Sequence, residues 1–230
     1  MAWIRILYAY PSYFDDELIS AIADIPQVVK YIDIPLQHAA NAVLLAMNRP
    51  AAQHTAALLS KLRSRIPGLV LRTTFIAGFP GEREEDHAAV VAFAKDIGFE
   101  RMGAFTFSEE EGTPAGSYPS QTPPDVRSAR RDELVQLSQE VMAKFARSRV
   151  GALVHVLVDA VSPDSGFVGR TSLEAPDCDP LVFLSDADGA QPLAVGQMRL
   201  CRVEGASEFD LFASPVEDAL MNTAQASAPA

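Results

Sequence analysis

A chain of 230 residues with 48% hydrophobic and 21% charged side chains has the make-up of a globular protein with length for one or two domains. No charged segment followed by an apolar run opens it, and no apolar stretch approaches the roughly 18 residues of a membrane span, so a cytoplasmic protein with no membrane attachment is expected. The net charge of -11 sets the surface against phosphate backbones and in favour of basic partners.

Along the chain, short apolar runs at 4–10, 31–37, 69–79 and 101–108 read as strands. Segments of helical period alternate with them: 15–23 with Leu18, Ile19 and Ile22 on one face, 41–47, 55–66 with Leu58, Leu59, Leu62 and Ile66, and 84–97 with Val90, Phe93, Ala94 and Ile97. Such alternation is the mark of repeated β-α units and a parallel sheet. After a Pro-rich link at 112–124, the spacing of Leu134, Leu137, Val141 and Phe145 predicts a long amphipathic helix over 125–147. Helical period then stops. Five short strands follow at 152–160, 166–172, 181–185, 197–205 and 208–212, separated by Pro-Asp-Ser-Gly, Asp-Ala-Asp-Gly and Val-Gly turns, which suits a small all-β barrel of OB-like type. The expected organisation is an α/β domain over 1–148, a β domain over 149–214 and a disordered Ala- and Ser-rich tail over 215–230. Four β-α units neither close a barrel nor cover a sheet, so the chain reads as beginning within a domain, with open strand edges.

Only two cysteines occur, Cys178 and Cys201, so one chain builds neither a disulfide framework nor a four-cysteine zinc site. They read as ordinary buried or half-exposed thiols. The richest peptide is Leu71-Arg-Thr-Thr-Phe-Ile-Ala-Gly-Phe-Pro-Gly-Glu82, an apolar strand running into a turn ahead of an acidic helix start. Ligands of parallel α/β domains gather at such strand ends. Gly78 and Gly81 would let a ligand approach the backbone, and the apolar strand end would offer a flat surface to a purine; alternatively both glycines serve only a tight turn. No Gly-Lys-Ser/Thr follows, so this is no phosphate loop. The strand at 31–37 delivers Gln37 and His38 to the same face. His38 has the chemistry of a base or metal ligand, but without a second ligand at metal spacing the reading favoured is a solvent-exposed loop histidine. The acids at 109–111 read as a solvated loop, or as a feature that positions a basic partner.

The strings LYAYPSYFDDELI, YIDIPLQHAANAVLLAMNRP, LRTTFIAGFPGEREED and FTFSEEEGTPA, in that order, resemble the later part of the barrel in the radical-SAM methylthiotransferase family. VGALVHVLVDAV, GFVGRT, EAPDCDPLVFL and VGQMRLCRVEGASEFDLF are similar to its TRAM domain. The resemblance spans residues 3 to 213 and implies the last four β-α units of a radical-SAM (β/α) barrel followed by an OB-like TRAM domain. One branch of the family modifies tRNA and the other an aspartate of ribosomal protein S12. Ile34-Pro-Leu-Gln-His38 and Leu71-Arg-Thr-Thr-Phe75 are similar to the second, since the tRNA branch tends toward a Leu-Pro-Val-Gln-Ser string. Charge agrees independently: residues 149–214 hold four basic against ten acidic side chains, a net of -6, which suits a basic protein and disfavours tRNA.

The resemblance also implies S-adenosylmethionine and two [4Fe-4S] clusters, each held by three cysteines, with S-adenosylmethionine chelating the open iron of the CxxxCxxC-bound one. Neither cysteine triad is present, and Cys178 and Cys201 match no family ligand. What carries over is the segment with Ile76, Gly78, Gly81 and Glu82, which resembles the one cradling the adenosyl moiety, with Gln37 and Arg72 as polar candidates. No catalytic residue and no metal ligand is assigned. The chain is expected to be inactive alone and to need a missing N-terminal half, in cis or in trans; the alternatives are a non-catalytic module that binds a basic ribosomal protein and a fragment of a tRNA methylthiotransferase.

Overall fold

A computed structural model describes residues 3–162, 166–185 and 192–216. The chain divides into two compact units, Met1–Val141 and Met142–Ala230.

The first unit is built on a parallel sheet of four strands, β1 (Ile4–Ile6), β2 (Val28–Asp33), β3 (Val70–Ala77) and β4 (Arg101–Thr106), in sequential order. Helices α1 (Asp16–Asp24), α2 (Asn41–Ala46), α3 (Ala52–Arg65) and α4 (Glu84–Ile97) connect them, and α5 (Pro124–Ser148) follows β4. The helix over 84–97 falls where its apolar spacing places it. Asp86 accepts from the Arg83 backbone N–H at 3.0 Å at its start, three acids occupy its first turn, and Gly98 ends it in the left-handed conformation. Asp15 caps α1 by accepting from the Leu18 N–H at 2.8 Å.

Strand β3 shows the period of two that a sheet imposes: Leu71, Thr73, Phe75 and Ala77 are buried, while Arg72, Thr74 and Ile76 are half-buried. The core forms where Leu71 and Phe75 meet Ile19 and Ile22 of α1, Leu59 and Leu62 of α3, Val90 and Ala94 of α4 and Leu134 of α5. Each of these side chains other than Ala94 contributes about 1.5–3 kcal/mol of hydrophobic stabilisation.

Two strands are shorter or earlier than the apolar runs suggest. The first ends at Ile6 rather than at residue 10, because Tyr8 takes a positive φ of 56° and Pro11–Tyr13 form a 3-10 turn. The second runs over 28–33 rather than 31–37, since Pro35 has no N–H to continue the ladder; Gln37 rejoins β3 by a single bridge to Phe75.

In the second unit β5 (Leu153–Ser162), β6 (Gly166–Arg170), β7 (Val182–Leu184), β9 (Leu211–Pro215) and β8 (Met198–Ala206) close, in that spatial order, into a barrel, with β7 and β9 the one parallel pair. Val156, Val158, Val182, Leu184, Cys201, Val203 and Leu211 fill it. A buried cluster holds the entry to the barrel: Glu174 accepts from the Arg149 guanidinium and from the Thr171 N–H at 3.0 Å, and Arg149 donates to the Thr171 hydroxyl at 2.8 Å.

Pro215 and Val216, counted with the expected tail, are paired with the barrel. Pro215 stands opposite Cys201 in the β8–β9 ladder, and the Val216 N–H donates to the Leu200 carbonyl at 3.1 Å, so backbone pairing carries order through Val216. Residues 217–230, residues 163–165 of the Pro-Asp-Ser-Gly turn and all of the Asp-Ala-Asp-Gly turn lie outside the described residues. Among the described residues no helix is long and apolar enough to cross a membrane.

Candidate functional site

A cleft of about 570 Å³ opens beyond the C-terminal ends of β2 and β3, lined by Gln37, Ile76 and Phe79, by the Met47-Asn48-Arg49 segment after α2, and by Phe107 and Tyr118. Gln37 is held there by its backbone. It takes a φ of 72°, its N–H donates to the Thr74 carbonyl at 2.9 Å, and its carbonyl accepts from the Ile76 N–H at 2.8 Å. A left-handed glutamine costs about 1–2 kcal/mol, so the two hydrogen bonds hold it against its own preference. Asn48, also at positive φ, turns the chain so that Arg49 lines the cleft, with its guanidinium 5.3 Å from the Tyr10 ring centroid. The far wall is aromatic: Phe79 meets Phe107 and Tyr118 edge to face at 5.3 and 6.2 Å. Among the described lining residues Arg49 is the one cation and no acid is present, so the cleft offers an apolar body with a few polar groups and an anion-seeking end.

Behind Phe79 lies a buried carboxylate. Glu82, 6% exposed, accepts from the backbone N–H groups of Gly78 at 2.7 Å and Phe79 at 3.0 Å, and from Arg130 at 3.0 Å. Burial works against its charge, but His38, Arg130 and the Gly78 amide outweigh burial and hold the carboxyl below its usual range. His38 does not stand in solvent as expected: it is 3% exposed, its Nδ1 accepts from the Ala40 N–H at 2.9 Å, and its Nε2 faces Glu82 at 3.4 Å. The loop after β2 folds back onto the turn after β3, and an acceptor Nδ1 leaves the ring proton on Nε2, which lies near the carboxylate without forming a hydrogen bond to it.

The six residues singled out in the sequence thus fall into three places. Gln37 and Ile76 meet in the cleft. Gly78, Gly81 and Glu82 form the turn behind it. Gly78, at φ 76°, makes room for Arg127, since a Cβ there would lie 2.3 Å from Arg127 Cγ; Gly81, at φ 80°, borders open space and serves the turn. Arg72 lies apart, with its guanidinium 3.0 Å from Asp33. Asn48, Arg49, Phe107 and Tyr118 were not singled out; Asn48-Arg-Pro50 is a legible turn signal, whereas the aromatic wall joins residues far apart in the chain.

The cleft has the size and lining of a small-molecule site. Cluster ligation has no counterpart: both cysteines lie in the second unit, Cys178 exposed and Cys201 buried, and among the described residues no three His, Cys, Asp or Glu side chains are grouped to hold a metal. Burial pushes the Cys201 thiol up to about 11, so iodoacetamide at neutral pH is expected to alkylate Cys178 and leave Cys201 unmodified until denaturant is added. Mass spectrometry of the intact protein reads this directly, and two adducts on the folded chain would contradict the buried assignment.

Residues 150–216 match the TRAM domain model. The ribosomal protein uS12 methylthiotransferase RimO of Desulfitobacterium hafniense is 42% identical over 216 residues, covering 94% of this chain and 48% of that protein. Its namesake from Symbiobacterium thermophilum is 43% identical over 94% of this chain and 44% of its own length, and that from Nostoc 40% over 93% and 48%. Among solved structures, coproporphyrinogen III oxidase from Escherichia coli, described as a radical SAM enzyme, is similar at a TM-score of 0.49 and 14% identity, over 65% of this chain and 34% of that one, a likeness too weak to add to the assignment.

A parallel α/β sheet with a cleft at its strand ends and a TRAM barrel together define a protein of an α/β unit followed by a small β domain. The chain is similar over 91–94% of its length to ribosomal protein uS12 methylthiotransferases named RimO and spans about half the length of the curated relatives it matches.

Proposed function

We propose that this chain supplies the S-adenosylmethionine cleft and the substrate-docking barrel of an enzyme that methylthiolates the β-carbon of an aspartate in ribosomal protein S12. The observation that carries the reading is the match, at 42% identity over 94% of the chain, to a relative named a ribosomal protein uS12 methylthiotransferase, with the aspartate β-carbon taken from the family resemblance. Bound S-adenosylmethionine gives such an enzyme its hydrogen-abstracting radical. In this chain Ile76 and the Phe79–Phe107–Tyr118 wall would hold the adenine, Gln37 the ribose hydroxyls and Arg49 the carboxylate of the methionyl part, while Gly78, Gly81 and Glu82 keep the turn in shape. Two cysteines are one fewer than a three-thiolate cluster needs, so no step is assigned through a cluster, and turnover requires a further cysteine-bearing segment, in cis or in trans. The net acidic TRAM segment supports a basic protein over tRNA as the substrate.

Calorimetric titration of the whole chain tests the cleft. S-adenosylmethionine is expected to bind, and Arg49→Gln to weaken it by about 10-fold or more, the range of a lost charged hydrogen bond, with an unchanged melting temperature. 5'-Methylthioadenosine, which has no carboxylate, is expected to bind wild type and variant equally. Absence of S-adenosylmethionine binding, or equal affinity in R49Q, would refute the assignment.

A further inference from the structure

The outer surface of the second unit carries a feature that the cleft chemistry does not use. Phe183 of β7 and Phe212 of β9 lie opposite each other in the parallel register and stack, with ring centroids 5.7 Å apart and planes 23° apart. Their chain neighbours Val182, Leu184, Leu211 and Ala213 point into the barrel, so this pair faces outward, and Phe212 is 46% exposed. The shelf continues along β7 to Leu181, 43% exposed. Leu181 in turn borders a second cleft, of about 370 Å³, whose polar lining is Asp159, Asp177, Asp179 and Arg170. Arg170 is turned onto Asp159 by an ion pair, and Asp210 adjoins the shelf, accepting from the Leu181 N–H at 2.8 Å.

Exposed aromatic rings on a small barrel suit two kinds of partner. Single-stranded nucleic acid stacks on such rings, but it also needs a cationic groove along its backbone, and here four carboxylates face one guanidinium that is already paired. A protein segment that sets apolar or aromatic side chains on the rings and an Arg or Lys side chain in the acidic cleft satisfies both parts at once. We infer that the Phe183–Phe212 shelf and the adjoining Asp159–Asp177–Asp179 cleft form one docking surface for a basic protein segment. This rests on the protein-substrate reading above and adds the surface that would do the binding. Paired Asp159 leaves the incoming cation to be met mainly from the loop holding Asp177, while the aromatic shelf supplies the desolvated centre.

The test is titration of the whole chain with purified ribosomal protein S12, with a second basic ribosomal protein, and with tRNA, for wild type and the variants Phe212→Ser and Asp177→Asn. Asp177 has a φ of 66°, a conformation asparagine adopts readily, so D177N is a fold-neutral probe of the charge. Expected are protein binding that weakens with added salt, a loss of about 10-fold or more in F212S and several-fold in D177N, and melting temperatures within a few degrees of wild type. Equal binding by wild type and both variants would overturn the surface. So would preference for tRNA, or binding of no basic protein at all. Binding of the second basic protein but not S12, with the same sensitivity to F212S and D177N, would uphold the surface and refute only S12 as the substrate.

Discussion

Gly78→Ala is expected to destabilise the first unit by about 3 kcal/mol, because two independent penalties meet at one atom. A φ of 76° costs a residue with a Cβ about 1–2 kcal/mol. The new methyl group would also sit 2.3 Å from Arg127 Cγ and 2.9 Å from its Cβ, and overpacking of that kind typically costs a further 1–3 kcal/mol. Arg127 has little freedom to withdraw. It donates to the Thr122 carbonyl at 2.6 Å, the Phe107 carbonyl at 3.1 Å and Glu109 at 2.6 Å, tying the loop after β4 to the aromatic wall of the cleft. Gly81→Ala is the matched control: its φ is 80°, but nothing lies within 4 Å of the added Cβ, so it should lose only the backbone penalty. Urea unfolding of the two variants separates the contributions. If both lose the same stability, Gly78 is a turn residue only and the packing argument fails.

Glu82→Gln is expected to cost about 3–5 kcal/mol, the range found when one member of a buried ion pair is removed and its partner stays behind. The amide is isosteric but takes from Arg130 its buried carboxylate, leaving the guanidinium only the exposed Glu84 carboxylate at 3.2 Å, and offers one acceptor where the Gly78 and Phe79 N–H groups and Arg130 now share two. The same group sets a pH dependence. Its folded pKa lies below the ordinary 4.5, so its stabilisation is fully present above about 4.5 and is lost as pH falls through the lower folded value. Denaturant titrations between neutral pH and pH 3 should therefore show wild type losing part of its advantage over E82Q toward the acid end. An advantage that stays constant or grows on acidification would show that Glu82 is not held ionised by its partners.

Much of the local structure is legible in the sequence because its causes are local. The period of Val90, Phe93, Ala94 and Ile97, flanked by first-turn acids and by Gly98, suffices to place α4, and the five short apolar runs after Val150 suffice to place a small β domain. The misread strand ends have local causes too, in Tyr8 and Pro35. His38 is different. Its burial follows from the return of one loop onto another turn, and no spacing within 31–38 encodes where the turn at 78–82 will lie. The acidic cleft of the barrel has the same character, since Asp159 and Asp177 become neighbours only when the barrel closes.

By itself the sequence determined the α/β-then-β organisation, the family resemblance, the shortage of cysteines and the candidate peptide around Ile76, because composition, periodicity and motif order are properties of contiguous residues. Only the tertiary structure decided that Gln37 and Ile76 share a cleft with Arg49, that Gly78 accommodates Arg127, that Glu82 is held by Arg130 from 48 positions away, and that Phe183 and Phe212 stack on the barrel surface. These are contacts between distant segments. Strand register and helix packing bring them together, and both follow from burying the whole core at once rather than from any one stretch of chain.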